Sequence, residues 1–187
     1  MTQNRSTVLN YSMIALFTLL ATLGTTVLYQ KIYYENNIQD YKPSRDRQFI
    51  LDIFKNNWYW LTANDSLSPE KVLDTSSLSY PDGSRKAGLT IKVYLENNQP
   101  TGFVAYYKKK LYQGCVQFIG VDEKYRGKGY AQKLLSYALD DLKHMGCIKV
   151  RMLTRMSNLS ARAVYTKLGF KKLWSDEGFI MYEKNLD

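Results

Sequence analysis

The sequence predicts an α/β (α+β) fold in which a mixed β-sheet carries helices on both faces, with one membrane-spanning helix ahead of it. Two observations lead to this prediction. From about residue 46 onward, helix-like and strand-like segments follow one another in an order typical of one layered domain. Before residue 30, a single apolar segment has the length that crosses a bilayer. The length of 187 residues fits one domain with an appendage.

The apolar segment comprises residues 11–29 and lies in a stretch without charge between Arg5 and Lys31. As a helix it would extend roughly 27–30 Å, close to the thickness of a bilayer core. Tyrosines at both ends suit the membrane–water interface. The alternatives are a cleaved signal peptide, although no A-x-A site follows, and a buried core helix, although the segment is apolar nearly all round.

This assignment divides the chain into a tail (1–10), a transmembrane helix (11–29), a juxtamembrane linker (30–45) and a domain (46–187). The linker mixes polar and aromatic residues without a clear period. Cations are more frequent just after the apolar segment than before it. The positive-inside rule therefore predicts a single-pass membrane protein whose domain faces the cytoplasm.

Hydrophobic periodicity predicts the elements of the domain. Apolar residues at helical spacing predict a helix over 47–61, and Pro69 at a first helical position predicts a short helix over 68–74. A long amphipathic helix is predicted over 129–145, and Gly146 ends it as a left-handed cap. Strands are predicted over 89–96, 101–109, 112–121, 149–155, 171–174 and 179–184, with a further helix over 158–168.

The junction between the third strand and the long helix, VDEKYRGKGYA, concentrates cations and glycines. A helix N-terminus carries unpaired N–H groups and a partial positive charge. Gly127 and Gly129 would allow a tight turn and close approach of a ligand, while Arg126 and Lys128 add charge. Such amides suit phosphate oxygens. The motif is neither a Walker A loop nor a GxGxxG fingerprint, and a basic turn before a surface helix is the alternative.

The order of these elements and motifs resembles the GNAT superfamily of acyl-CoA-dependent N-acetyltransferases. The phosphate-loop motif of that family, Q/R-x-x-G-x-G/A, is matched by Arg126, Gly129 and Ala131. Its later motif, an Asn, an Ala and a Tyr before Gly-Phe, is matched by Asn158, Ala161, Tyr165, Gly169 and Phe170. The resemblance covers about residues 46–187 and implies a mainly antiparallel, mixed sheet.

The resemblance implies acetyl-CoA as the acyl donor and a primary amine of an unidentified molecule as the acceptor. The pyrophosphate would lie on the loop amides. The strand that ends at Val121 would splay from its neighbour and pair with the pantetheine arm. The implied cofactor-binding residues are Ile119, Val121, Arg126, Gly127, Lys128, Gly129, Tyr130, Ala131 and Asn158.

Tyr165 matches the general acid that protonates the leaving thiolate in the family. A phenol keeps its proton near neutral pH, since its ordinary pKa is about 10. The alternative for Tyr165 is a packed aromatic residue, and the alternative for Asn158 is a helix N-cap. Many relatives place a Glu on the strand before the phosphate loop as general base, but residues 112–121 contain no carboxylate. No base is assigned, and His144 is predicted at a helix end, away from catalysis.

In this family the acceptor usually enters between the first two helices and the last hairpin. The hairpin turn contains Asp176 and Glu177, whose carboxylates would attract a cationic amine, and a solvated acidic turn is the alternative. The aromatic residues of segment 54–61 are assigned to the core rather than to an acceptor platform.

Composition limits the remaining possibilities. The net charge of +9 suits nucleic acid, an anionic membrane face or a phosphorylated cofactor, and no motif favours nucleic acid. Cys115 and Cys147 do not form a CxxC pair and are predicted to be free thiols. No zinc-ligand spacing is present, so no metal site is predicted. The alternative to an enzyme is a non-catalytic acyl-CoA-binding or scaffold module on a membrane.

Overall fold

The computed structural model describes residues 37–62, 68–73, 89–110 and 112–186. In chain order the elements are β1 (Ile38–Asp40), α1 (Pro43–Leu61), α2 (Pro69–Leu73), β2 (Thr90–Glu96), β3 (Gln99–Lys110), β4 (Gln113–Val121), a 3-10 turn (Glu123–Tyr125), α3 (Tyr130–His144), β5 (Lys149–Arg155), α4 (Leu159–Lys167), β6 (Lys171–Asp176) and β7 (Phe179–Asn185). Every strand and helix predicted for the domain is present, and the ends of all but β5 are shifted.

One sheet of seven strands organises these residues, in the order β1-β2-β3-β4-β5-β7-β6. The β4–β5 pair is parallel, and the other neighbouring pairs are antiparallel. A parallel pair needs a crossover connection, and α3 supplies it between β4 and β5. The prediction of a mixed, mainly antiparallel sheet is confirmed.

Helices α1 and α3 pack on opposite faces of this sheet. Gly102 pairs with Val121 and Phe103 pairs with Gly120, so the two glycines occupy adjacent register positions on β3 and β4. A Cβ atom on Gly102 would lie 3.1 Å from Leu134 of α3, whereas one on Gly120 would lie 2.7 Å from Ile53 of α1. Both helices approach the sheet closely at its glycines. The prediction of helices on both faces is confirmed.

Helix α1 buries an apolar stripe against the centre of the sheet. Ile50 and Phe54 are fully buried, and the ring of Phe54 lies 5.1 Å from that of Phe118 and 5.7 Å from that of Phe103. Burying side chains of this size contributes about 1.5–3 kcal/mol each. The α1 stripe therefore fixes the helix against β3 and β4, the strands that lead into the glycine-rich loop.

The parallel ladder between β4 and β5 is short. It runs from Gln113↔Lys149 to Cys115↔Arg151, while β4 continues to Val121 and β5 to Arg155. On its other side β4 carries a bulge in which Gln117 is the extra residue between the pairs formed by Val116 and Phe118. A bulge bends its strand. Beyond Cys115 the two strands therefore leave a wedge between them, here called the β4–β5 wedge.

The predicted linker is corrected in its second half. Ile38–Asp40 form a strand that pairs with β2, and α1 begins at Pro43 rather than at residue 47. The N–H of Lys42 donates to the buried carboxylate of Asp46 at 2.8 Å, which holds the start of α1. A strand of three residues is too short to show an alternating pattern. Pro43 lies in the first turn of α1, where proline is common, and the linker assignment did not use this signal.

Residues 1–36 lie outside the described ranges, and the predicted transmembrane helix at 11–29 lies among them. Within the described ranges, no helix is both long enough and apolar enough to cross a membrane.

Candidate functional site

The β4–β5 wedge is bordered on one side by the last residues of β4. Ile119 and Val121, which the sequence assigned to the cofactor arm, are half-buried there and pair with Val104 and Gly102 of β3. Among the described residues the ladder to β5 ends at Cys115, so the other backbone edge of β4 faces the wedge. An extended ligand can add to such an edge as a strand would.

The loop between β4 and α3 begins where the wedge opens. Gly127 and Gly129 have φ values of 79° and 80°, in the left-handed region that favours glycine. A Cβ atom on either residue would meet nothing within 4 Å, so backbone conformation rather than packing requires glycine at both positions. The first bond of the α3 ladder runs from the Lys133 N–H to the Gly129 carbonyl, and the amides before Lys133 are directed out of the helix end. This geometry suits an anion.

The two cations of the loop contact neighbouring elements. Arg126 Nη2 donates to Asn57 Oδ1 at 2.6 Å, and Arg126 Nε donates to the Val121 carbonyl at 3.3 Å. Lys128 Nζ lies 3.7 Å from Glu96 Oε2. Both cations are also exposed. They add positive potential beside the loop amides and hold the loop against α1 and β2.

Tyr130 and Ala131 form the first turn of α3. The Tyr130 ring is buried and stacks on Tyr94 with centroids 4.5 Å apart, and its hydroxyl donates to Glu96. Burial, followed by this hydrogen bond, raises the pKa of the Tyr130 hydroxyl. The side chain of Tyr130 therefore anchors the loop, and only its backbone N–H is available at the helix end. Ala131 is half-buried in the same turn.

Tyr165 of α4 is 4% exposed and packs against Tyr182 and Phe170, with ring centroids 5.6 Å and 6.1 Å away. Its hydroxyl forms a hydrogen bond with the side chain of Thr154. Thr154 lies on β5 beyond the last pair with β4, so the hydroxyl is held beside the β4–β5 wedge. Burial raises the pKa of Tyr165 more than the Thr154 bond lowers it. The residue is thus both a packed aromatic and a phenol that keeps its proton.

Asn158 occupies the N-cap of α4. Its side-chain oxygen accepts a hydrogen bond from the Ala161 N–H at 3.1 Å, which satisfies one of the unpaired donors of the first turn. The N-cap alternative for Asn158 is therefore confirmed. A contact between Asn158 and a cofactor stays a prediction.

The sequence predicts that the acceptor enters between the first helices and the last hairpin, which the structure identifies as the end of α1 and the β6–β7 turn. Asp176 and Glu177 are exposed in that turn, and Glu177 has a φ of 45°. The assignment of the 54–61 aromatics to the core is wrong for two of them, because Tyr59 and Trp60 are 55% and 45% exposed. The reason is a break at Asn57 (φ −131°, ψ 24°), which interrupts the helical period on which the assignment depended.

The side chains of β4 offer no carboxylate or imidazole to the wedge. Gln117 is the bulged residue, and Cys115 belongs to the last pair with β5. Cys115 and Cys147 are both thiols outside any disulfide, as predicted. His144 ends α3, whose 15 residues place it roughly 22 Å from the loop end of that helix. The geometry assigns no general base.

Three residues of the site escaped the sequence prediction. Asn57 ties α1 to Arg126, Thr154 holds the hydroxyl of Tyr165, and Arg155 donates to the carbonyls that end α1. Each acts on a partner distant in sequence. For Thr154 and Arg155, the only local signal was their place at the end of the predicted strand KVRMLTR, which continues past the short ladder with β4.

Comparison with known proteins agrees with this architecture. Residues 48–170 match the family model described as Acetyltransferase (GNAT) family. Because the match covers more than half of the 187 residues, the chain belongs to the GNAT acetyltransferase family.

Individual relatives are more distant. The chain is 32% identical over 62 residues to the N-alpha-acetyltransferase MAK3 of Arabidopsis thaliana, which is 33% of each protein. It thus matches only about a third of the length of that relative. The fold resembles the PaiA N-acetyltransferase of Thermoplasma acidophilum in complex with coenzyme A (TM-score 0.63, 18% identity, 79% of this chain and 97% of that one). It also resembles the ribosomal-protein-S18-alanine N-acetyltransferase of Escherichia coli (TM-score 0.60, 18% identity, 80% and 93%).

Proposed function

We propose that this protein is an acetyl-CoA-dependent N-acetyltransferase whose acceptor is the α-amine of a polypeptide. The observation that carries the proposal is the meeting of three features at one end of the sheet. These features are the free edge of β4, the loop around Gly127 and Gly129, and the hydroxyl of Tyr165. Family membership makes acetyl transfer the chemistry that this combination serves.

The described residues fit acetyl-CoA. Its extended arm requires a free strand edge, which β4 offers beside Ile119 and Val121. Its phosphates require N–H donors and positive charge, which the segment from Arg126 to Ala131 offers. Gly127 and Gly129 leave the space above the loop open. When bound, acetyl-CoA supplies an acetyl group activated as a thioester.

In the proposed mechanism, Tyr165 holds the proton that a departing thiolate requires. Its hydroxyl is buried and oriented by Thr154, and its raised pKa keeps the phenol protonated at neutral pH. Thr154 is a positioning residue in this mechanism. It lies on β5 beyond the last pair with β4 and fixes the Tyr165 hydroxyl there.

The acceptor amine must be neutral to attack, and this requirement favours an α-amine. No carboxylate or histidine of β4 is present to accept the amine proton. An α-amine has an ordinary pKa of about 8, whereas that of a lysine side chain is about 10. The α-amine is therefore partly neutral near physiological pH without a base, and water can take its proton. The relative from Arabidopsis thaliana, an N-alpha-acetyltransferase, supports the same acceptor class.

The test is turnover of the full-length protein with acetyl-CoA and one peptide that has both a free N-terminus and an internal lysine. A second peptide with a blocked N-terminus is the matched control. We expect release of CoA and a single acetyl group at the α-amine of the first peptide only. Acetylation of lysine alone would contradict the acceptor class. Acetyl-CoA binding without turnover on any amine would favour the non-catalytic acyl-CoA-binding module, which the missing β4 carboxylate supports.

We also propose that residues 11–29 anchor the protein in a membrane, with the domain in the cytoplasm. The support is the uncharged apolar segment and the excess of cations after it. The test is fractionation followed by protease treatment of sealed, inverted vesicles. The proposal predicts a membrane-bound protein whose C-terminal domain is digested. Release of the protein by alkaline carbonate would contradict the anchor, and protection of the domain would contradict the orientation.

A further inference from the structure

Arg155, the last residue of β5, caps a helix from a distant part of the chain. Its Nε donates to the Tyr59 carbonyl at 2.6 Å, and its Nη2 donates to the Thr62 carbonyl at 3.1 Å. These carbonyls belong to the end of α1, which has no basic residue in its own last turn. A cation is favoured at a helix C-terminus, where carbonyls lack partners within the helix. Arg155 thus holds the end of α1.

The same guanidinium group lies near two aromatic rings. Its Cζ is 4.0 Å from the ring centroid of Tyr59 and 4.8 Å from that of Phe179. Phe179 begins β7 and pairs in register with Arg155. The next residue, Met156, donates its N–H to the Gly178 carbonyl at 2.7 Å. The end of β5 therefore joins the end of α1 to the β6–β7 turn.

From these contacts we infer that Arg155 is a positioning residue for the acceptor, because it fixes the end of α1 and the β6–β7 turn as the two walls of the acceptor entrance. The inference rests on the proposed function. Successive residues of a strand point to opposite faces. Thr154 fixes the proton donor on one face, and Arg155 fixes the entrance walls on the other. Lysine is a poor substitute, because an ammonium lacks the planar fork that reaches two carbonyls and stacks on a ring.

The experiment compares R155A, R155K and the control R151A in the full-length protein. Arg151 lies four residues earlier on the same strand and face, and its Nε donates to Glu183 at 2.6 Å instead of to α1. The first measurement is hydrogen exchange of two amides, Thr62 N–H at the end of α1 and Met156 N–H at the turn. The second is a kinetic comparison of the KM for the acceptor peptide with the KM for acetyl-CoA.

We expect R155A to accelerate exchange at both amides and to raise the acceptor KM by about tenfold or more, since a displacement of about 1 Å can cost up to about 10²-fold. The acetyl-CoA KM should change by less than about twofold. The exchange rates and the acceptor KM of R155K should lie between those of R155A and the parent, and those of R151A should equal the parent's. Unchanged exchange at either amide would overturn the inference, as would an unchanged acceptor KM in R155A. Absence of turnover in the parent protein would overturn the proposed function, and the acceptor role of Arg155 with it.

Discussion

Arg126 in the glycine-rich loop donates a hydrogen bond of 2.6 Å to Asn57, which lies 69 residues earlier at the break in α1. The Asn57 amide also donates to the Ile53 carbonyl at 2.9 Å. One side chain therefore stabilises the break in α1 and orients the guanidinium beside the candidate phosphate site. The glycine-rich loop and the break in α1 share this contact.

Replacement of Asn57 by alanine should weaken both structures. We expect the free energy of unfolding to fall by about 2 kcal/mol, because one hydrogen bond to a charged group and one within the helix are lost. Acetyl-CoA affinity should fall severalfold, because Arg126 is no longer held beside the loop. Denaturant unfolding and calorimetry measure the two effects. Q48A is the control. Gln48 also lies on α1, and its side-chain amide donates to Asp52, an exposed residue of the same helix. Equal affinities in N57A and the parent would refute the link to the loop.

Replacement of Tyr165 by phenylalanine should lower kcat by about 10²-fold or more and leave the acetyl-CoA Kd nearly unchanged, because it removes only a proton donor. Burial raises the pKa of Tyr165 above its ordinary value, so the phenol stays protonated across the neutral and mildly alkaline range. Deprotonation of this group should therefore cause no decline of kcat below about pH 10. Steady-state kinetics from pH 6 to pH 10 measures both effects. Full turnover by Y165F would remove Tyr165 from the mechanism.

Stability should decline at alkaline pH because of Tyr106. This residue is fully buried and donates to Asp141 Oδ2 at 2.6 Å, and burial, followed by that bond, raises its pKa. The unfolded chain therefore loses this proton at a lower pH than the folded chain. The contribution to stability is complete below about pH 10 and is lost as the pH rises above it.

Thermal unfolding between pH 8 and pH 11 measures this effect. Y106F should be less stable by about 1–3 kcal/mol at neutral pH, because the Asp141 carboxylate loses a partner, and its Tm should depend less on pH in the alkaline range. Y112F is the control, since Tyr112 is 58% exposed. An identical alkaline slope in Y106F and the parent would show that Tyr106 is not the source.

The double variant D176A/E177A should raise the KM for a cationic acceptor and leave the KM for acetyl-CoA unchanged. Both carboxylates are exposed in the β6–β7 turn, which bonds to the end of β5 through Gly178 and Met156. Exposed charges act mainly through screened attraction, so the effect should shrink as salt increases. Kinetics at low and high ionic strength checks this expectation. The same acceptor KM in variant and parent at low salt would make the turn a solvated loop only.

The sequence was sufficient to predict the elements near the glycine-rich loop. Gly127 and Gly129 adopt the positive φ that the loop prediction required, and Tyr165 is buried in the predicted helix. These features depend on local conformation and on periodic burial, which neighbouring residues encode. The parallel pair around α3 follows from the crossover itself.

Features that depend on contacts between distant segments were not predicted. The strand β1 has three residues and is stable only through its pairing with β2. The break at Asn57 turns Tyr59 and Trp60 outward, although the aromatic pattern suggested burial. Arg155 has no local motif, because its role comes from α1 and β7 meeting at the end of β5. Each of the three features involves a contact with a residue distant in sequence, and no single window of sequence contains that contact.

We propose that the glycine-rich loop and the β4–β5 wedge together bind acetyl-CoA. The most direct test of this claim is calorimetric titration of the full-length protein, G129E and the control G178E with acetyl-CoA. Gly129 and Gly178 have nearly equal φ values of 80° and 82° and no atom within 4 Å of an added Cβ, so both variants carry the same strain and charge. We expect binding by the parent and by G178E, and loss of binding in G129E, where a carboxylate faces the phosphates. Equal binding by all three folded proteins, or by none, would contradict the claim.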